Sequence, residues 1–440
     1  MEPILTNYGK IIGIDQGAYL EYRGVPYAEP PIGELRWKAP RPPKSWEGIL
    51  HADTYANCCM QKPETHPLYR KEFYGNSAFR RTPSEDCLYL NIWTPKEKEE
   101  RPFPVAFWIH GGGFLSGYAT ELEFDGAEYA KRGVILVSVE YRCNLFGFLA
   151  HPWLSAENER GISGNYGILD QIAALDWVAE NIASFGGDPG NITVFGQSAG
   201  AMSTQTLLTS KLSKGKIAKG ILQSGGGYRG GLVQDMPLHM QEEYGKCFAE
   251  LAGVSSLQEL RELPAERILD LLEPLFEKIF PPSKGLFLLP VQDGYVLDSG
   301  YDEAIEQGKI PDIPLILGTT KDDLLVTEEM KEQGISGILH KGCVEWAKER
   351  KRQGHGDTWV YYFTRELPGD EAGAIHSAEL WYMFGTLKRC WRPMEERDWK
   401  LSAEMLDYWI NFMKNGNPNG NGTEMWIPCG EDGFEVKELG

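Results

Sequence analysis

The 440-residue chain is short of several things, and each shortage excludes a class of function. It has no surplus of positive charge: 44 Lys and Arg stand against 63 Asp and Glu, a formal net charge of −19. Nucleic acid and anionic membranes both repel so acidic a surface, so neither is an expected partner. No uninterrupted apolar run approaches the roughly 18 residues a membrane span needs. The opening residues, MEPILTNYGKIIGIDQG, lack a basic segment followed by a long apolar one. No secretory signal is visible there, and the expected location is cytoplasmic. Cysteines number eight, and no two of them stand in a C-x-x-C pair. Zinc ligation therefore has no support, and buried, reduced thiols are expected. There is no internal repeat, low-complexity tract or long linker, so a single domain over residues 1–440 is expected.

What is present is an ordinary globular composition, 42% hydrophobic and 24% charged. Strand-like and helix-like runs alternate, which points to an α/β fold: a large, mostly parallel central sheet with helices on both faces. PVAFWIH (104–110) and GVILVSVEY (133–141) are apolar and β-branched enough for central strands, with NITVFGQ (191–197), GILQSG (220–225), IPLILG (313–318) and TWVYYF (358–363) beside them. The 166–187 run spaces its apolar residues three and four apart and ends at Gly186 and Gly187, which predicts a helix. Segments 240–253 and 264–280 form a helix-rich insertion, and 399–416 predicts a last long helix closed by Gly416. The first 50 residues, rich in Pro and Gly, read as an edge hairpin and a wrapping loop.

One motif carries chemistry directly. Gly196-Gln197-Ser198-Ala199-Gly200 matches G-x-S-x-G, a pattern that a chain with 50 glycines meets by chance about 0.3 times. Its setting is more specific, because a strand-like run precedes it and a helical one, AGAMSTQTLLTS, follows. A serine on such a strand-to-helix turn stands clear of the sheet, and the crowded backbone demands Gly or Ala beside it. This is the nucleophile elbow of α/β-hydrolases, in which the N–H after the serine, here Ala199, faces the oxyanion. A second Gly-rich stretch, WIHGGGFLSG (108–117), follows a strand and lets backbone N–H groups turn inward. Each such donor stabilises an oxyanion by about 3 kcal/mol. A phosphate cradle is disfavoured there, since no G-K-[ST] follows. His110 ends its strand and reads as an orienting residue.

The base must be one of eight histidines. With the chain order Ser, acid, His, only His340, His355 and His376 follow the acidic segment ILGTTKDD. His340 and His355 flank a charged helical segment and read as solvated. His376 follows a strand and a Gly/Pro loop, and is the expected base. The acid belongs on a short turn after the preceding strand, where both Asp322 and Asp323 stand.

Several segments together carry a resemblance: YRGVPYAEPPIGELRW, SEDCLYLNIWTP, HGGGF, NYGILDQIAALDWVAENIASFGGDPGNITVFGQSAG and QSGG. In these the chain resembles the type B carboxylesterases, the family of cholinesterases and p-nitrobenzyl esterases, over nearly its whole length. The resemblance implies an α/β-hydrolase fold with a helical insertion over the active site. It implies a serine carboxylesterase acting through an acyl-enzyme, with no cofactor and no metal. The partner implied is a small-molecule ester, with the chain a monomer or small homo-oligomer. The family's acid lies five residues after the strand-ending glycine, which here is Gly318 and makes the acid Asp323, leaving Asp322 as a solvated loop charge. The same resemblance assigns the oxyanion N–H groups to Gly112, Gly113 and Ala199. It makes Ser224, in QSGG, a hydrogen-bond partner of the acid, and pairs Cys59 with Cys87 in members that meet an oxidising compartment. Three departures stand out: Gln197 replaces the usual Glu before the nucleophile, the acid is one methylene shorter than Glu, and only 53 positions separate Asp323 from His376. A trimmed helical cover and a more open cleft are expected. Phe114, Tyr228, Trp381 and Phe384 are candidates for the substrate pocket. Amidase, thioesterase and lactonase activities share the triad chemistry, and a non-catalytic binding module of the same fold is the reading from another class.

Overall fold

The computed structural model describes residues 2–97, 99–279, 286–420, 422–433 and 435–440. Its centre is a ten-stranded sheet. In chain order the strands are β1 (Ile14–Asp15), β2 (Tyr19–Pro26), β3 (Tyr89–Pro95), β4 (Phe103–Ile109) and β5 (Ile135–Val139). They continue with β6 (Gly187–Gln197), β7 (Lys219–Gln223), β8 (Leu315–Thr320), β9 (Thr358–Phe363) and β10 (Val436–Leu439). The spatial order is β10-β9-β8-β7-β6-β4-β5-β3-β2-β1. Strands β4 to β10 pair in parallel. The β1–β2 hairpin and β3 add an antiparallel edge, as the Pro- and Gly-rich start of the chain suggests.

The parallel strands are buried on both faces and therefore apolar throughout rather than alternating. Side chains from successive residues still leave by opposite faces. Val105, Phe107 and Ile109 of β4 join one core with Leu175 and Val178 of helix α1 (Tyr166–Asn181) and Leu207 of α2 (Ala199–Thr209). Ala106 and Trp108 join the other core. There they meet residues of α5 (Leu380–Met383) and Trp409 and Phe412 of α6 (Glu396–Asn415), the helices following α3 (Leu238–Ala252) and α4 (Ile338–Arg352). Glycine in the left-handed region closes α6 at Gly416 and stops the 182–185 turn after α1 at Gly186.

The expected helix over 264–280 is broken into Ala265–Asp270 and Leu272–Ile279. Pro274 has no N–H to return to Asp270, so the first helix cannot run on. Its last expected residue, Phe280, lies outside the described residues. Leu232 and Gln234, before this helix-rich insertion, and Leu286, after it, line the cavity that holds Ser198. No helix among the described residues is long and apolar enough to cross a membrane.

Candidate active site

Ser198 sits between the last residue of β6 and the first of α2, at φ 56° and ψ −124°. A non-glycine residue held there costs about 1–3 kcal/mol, a strain that the surrounding structure must over-determine. It does so through a hydrogen bond from the Ser198 N–H to the Gln223 carbonyl, 2.8 Å, and through backbone crowding. A Cβ on Gly200 would lie 2.0 Å from the Ile109 carbonyl oxygen, so the turn closes only with glycine. The serine is 8% exposed and borders a cavity of about 500 Å³.

Gly112 and Gly113, at φ 101° and 63°, line the same cavity. Their N–H groups have no acceptor among the described residues, and the Ala199 N–H, at the first position of α2, has none within its helix. His110 is fully buried, stacked on Tyr141 with centroids 4.4 Å apart, and its Nδ1 lies 2.9 Å from the Gly111 carbonyl. Burial lowers its pKa to about 4, so the ring is neutral and structural.

Beyond β8 the chain turns back at Asp323. Its Oδ1 lies 2.6 Å from His376 Nδ1 and accepts from the Leu324 N–H at 2.8 Å, while Oδ2 accepts from the Thr320 N–H at 3.0 Å. Burial opposes its ionisation. The charge and hydrogen bond of His376, together with Ser224 and the Thr320 N–H, outweigh that penalty and hold the carboxyl below its ordinary range. The Ser224 hydroxyl is buried without a well-aligned hydrogen bond, yet close enough to favour the charged form of Asp323. An acceptor-only carboxylate at Nδ1 fixes the His376 proton there and leaves Nε2 as an acceptor. That lone pair faces the Gln197 amide, with Nε2 of Gln197 at 3.1 Å from Nε2 of His376. No hydrogen bond joins the Ser198 hydroxyl to His376 among the described residues, although both border the cavity.

Four expectations are corrected here. Asp322 is not a solvated loop charge: its carboxylate accepts from the Ala374 N–H at 2.7 Å and pairs with Lys331 at 3.1 Å. Its own N–H donates to the Ala374 carbonyl at 3.0 Å, so it pins the His376 loop to the end of β8. His340 is not solvated either; it packs on Tyr362, bonds Thr319 at 3.2 Å, and burial lowers its pKa to about 4. His355 is half-buried, with Nδ1 lacking a partner. Lastly, Phe114, Tyr228, Trp381 and Phe384 do not border the cavity. Phe114 packs on Phe148, Phe384 on Trp108, and Trp381 on Phe73 while its indole N–H reaches Glu72. The Tyr228 hydroxyl is turned to Glu306. The apolar lining comes instead from Tyr69, Phe73, Phe124 and from Leu286, Leu324 and Leu325.

Sequence reasoning also missed Glu64, Glu121 and Glu123, which border the cavity. Nothing in the sequence around them singles them out: Glu121 and Glu123 simply flank Leu122 in a loop. Away from the site, the thiols of Cys59 and Cys87 are within hydrogen-bonding reach of each other, and the Cys143 N–H donates to Cys59 Sγ at 3.0 Å. All eight cysteines are free.

The family described as the carboxylesterase family matches residues 2–341 and 336–438. The chain is 33% identical to the para-nitrobenzyl esterase of Bacillus subtilis over 465 residues, covering 94% of this chain and 90% of that protein. It is 38% identical to the fumonisin B1 esterase of Sphingopyxis macrogoltabida over 493 residues, covering 99% and 86%. A solved PNB esterase superposes with a TM-score of 0.87 at 30% identity, covering 100% of this chain and 96% of that one.

Proposed function

The chain belongs to the carboxylesterase family and hydrolyses carboxylic esters; from that premise we propose that Ser198, His376 and Asp323 carry out the reaction. The observation that carries this reading is the 2.6 Å contact between His376 Nδ1 and Asp323 in the loop that faces the elbow serine across one cavity. Ser198 Oγ attacks the ester carbonyl while His376 Nε2 takes its proton. Asp323 keeps the imidazole in the tautomer that can do so and stabilises the imidazolium that results. The developing oxyanion is met by the N–H groups of Gly112, Gly113 and Ala199, at about 3 kcal/mol per donor. His376 then protonates the departing alkoxide, and water repeats the cycle to free the acid.

For this to begin, the Gln197 amide must yield the Nε2 lone pair to Ser198. A neutral hydrogen bond is worth only about 1 kcal/mol net, so the exchange is a small part of the barrier. Treatment with diethyl p-nitrophenyl phosphate tests the assignment: Ser198 Oγ displaces p-nitrophenolate from phosphorus, and its proton leaves through His376. The diethylphosphoryl group is expected on the peptide carrying Ser198, with activity lost in proportion. Labelling of another residue with full loss of activity would remove Ser198 from the mechanism.

A further inference from the structure

The wall of the cavity opposite in character to the catalytic corner is acidic, and among the described residues no cation pairs with its two buried acids, which lie within hydrogen-bonding reach of each other. Glu121 and Glu123 are 6% and 2% exposed, and both border the cavity that Ser198 borders. Burying a carboxylate is costly unless a cation or several donors meet it. At three other buried carboxylates the chain meets that cost with arginine: Arg142 on Asp170 at 2.7 Å, Arg365 on Asp398 at 2.7 Å, Arg392 on Glu72 at 3.0 Å. Glu140 and Glu379 are also buried without an ion pair among the described residues, but neither borders the cavity. Among the described residues, no ion pair includes Glu121 or Glu123. Arg389, the guanidinium whose charge Glu123 feels, is bound to Asp125 and to the Leu122 and Phe124 carbonyls. Glu121 Oε1 accepts from the Tyr74 hydroxyl at 2.8 Å and the Tyr118 N–H at 3.0 Å. Glu123 Oε2 has no donor at all.

We propose, resting on the reading of this cavity as the site of ester hydrolysis, that Glu121 and Glu123 bind an N–H-bearing ammonium group carried by the substrate. Without a cation the raised Glu123 carboxyl keeps its proton; once the pair is ionised, Glu123 Oε2 lacks a donor and the pair lacks a positive charge. A primary or secondary ammonium supplies both in one charge-assisted hydrogen bond. A quaternary ammonium supplies charge without a donor and leaves Oε2 unmet. Tyr69, Phe73 and Phe124 border the same cavity and give it an aromatic lining beside the acids. Glu64 adds a third acidic side chain on the lining. Burial raises the Glu121 carboxyl to about 7 and the Glu123 carboxyl well above its ordinary value, as it must while no cation is present. The selectivity therefore resides in the pocket wall and not beside the nucleophile, where Gln197 carries no charge.

Three rigid esters of one acid separate the possibilities: piperidin-4-yl butanoate, cyclohexyl butanoate and N,N-dimethylpiperidinium-4-yl butanoate. In the unmodified enzyme kcat/KM for the piperidinyl ester is expected to exceed that for the cyclohexyl ester by tenfold or more, with the quaternary ester well below the piperidinyl one. Glu123→Gln and Glu121→Gln should each lower the piperidinyl-to-cyclohexyl ratio by about tenfold. A ratio at or below one in the unmodified enzyme, or a ratio untouched by both variants, overturns the proposal. Should the variants fail to fold, or the unmodified enzyme turn over none of the three, competitive inhibition of p-nitrophenyl acetate hydrolysis by 4-hydroxypiperidine against cyclohexanol decides. Tighter inhibition by the amine supports the site, and equal inhibition removes it. Failure of the underlying reading looks different: Ser198→Ala would still hydrolyse all three esters, whatever their ratio.

Discussion

The catalytic corner and the acidic wall of the cavity are buried to similar depth, yet their carboxyl groups are driven in opposite directions. Asp323 meets an imidazole and two backbone N–H groups and is held below the ordinary range. Glu121 and Glu123 meet no cation and are pushed up, as is Glu379, whose Oε1 has only long contacts to Gln223 and Tyr361, at 3.3 and 3.4 Å, and whose Oε2 has none. Depth alone therefore does not decide the charge of a buried acid. The number and kind of donors decide it, and these are what the following substitutions alter.

The largest effect falls on the corner itself. Ser198→Ala removes the nucleophile and should lower kcat on a p-nitrophenyl ester by on the order of 10⁶, with the melting temperature held or raised because a strained turn loses little. Unchanged kinetics would sever Ser198 from the reaction. Next in size is the acid. Asp323→Asn presents an amide to His376 Nδ1, favours the wrong tautomer and should cost about 10⁴ in kcat. Asp322→Asn keeps an oxygen for the Ala374 N–H and loses only the half-exposed pairing with Lys331, so kcat should stay within a few-fold. Steady-state kinetics on both variants checks the pair, and a large loss at 322 with none at 323 would reverse their roles.

How much of this was legible in the sequence follows from where each signal lies. Strands written as continuous apolar runs were found to within a few residues, because burial on both faces leaves no other pattern; β9 falls on the expected 358–363. The elbow and the glycine loop are local motifs and were readable as such, whereas Asp323 was preferred to Asp322 only on the family resemblance. What was not legible depends on contacts remote in the chain. Asp322 is a pin only because Ala374, 52 positions on, returns to it. His340 is half-buried against Tyr362 of β9. The cavity lining is drawn from a short helix at residue 69 and from segments near residues 121, 286 and 324, none of which announces the others. The aromatics chosen from the sequence were near the right motifs, but their rings turn into the two cores.

A third prediction sharpens the comparison through stability. Burial raises the Glu379 carboxyl to about 7 in the folded chain, against about 4.3 in an unfolded one. The folded state then binds more protons than the unfolded state between those values, so this group's contribution to stability falls as pH rises from about 4.3 to 7 and is flat above. Glu379→Gln abolishes that dependence. Relative to the parent, the variant should gain on the order of 2 kcal/mol between pH 5 and pH 8 in denaturant titrations. A difference independent of pH would mean that Glu379 is already matched by a donor.

The smallest effect is expected at Gln197, where the two regimes meet. Its amide nitrogen donates to His376 Nε2, the lone pair the proposed nucleophile Ser198 would need, so the residue competes with that serine while bracing the imidazole opposite Asp323. Gln197→Ala removes both influences. A neutral hydrogen bond of about 1 kcal/mol sets the scale, so kcat/KM should change by less than about tenfold. Gln197→Glu has a different signature. A carboxylate against Nε2 favours the protonated imidazole, which cannot act as base, so the acid limb of the pH dependence of kcat/KM should move to higher pH while the plateau stays within the same tenfold. Measuring the full profile separates the two substitutions: alanine changes the height with the limb in place, and glutamate moves the limb. A glutamate variant whose acid limb coincides with that of the parent would show that residue 197 does not face His376 Nε2 in the working enzyme.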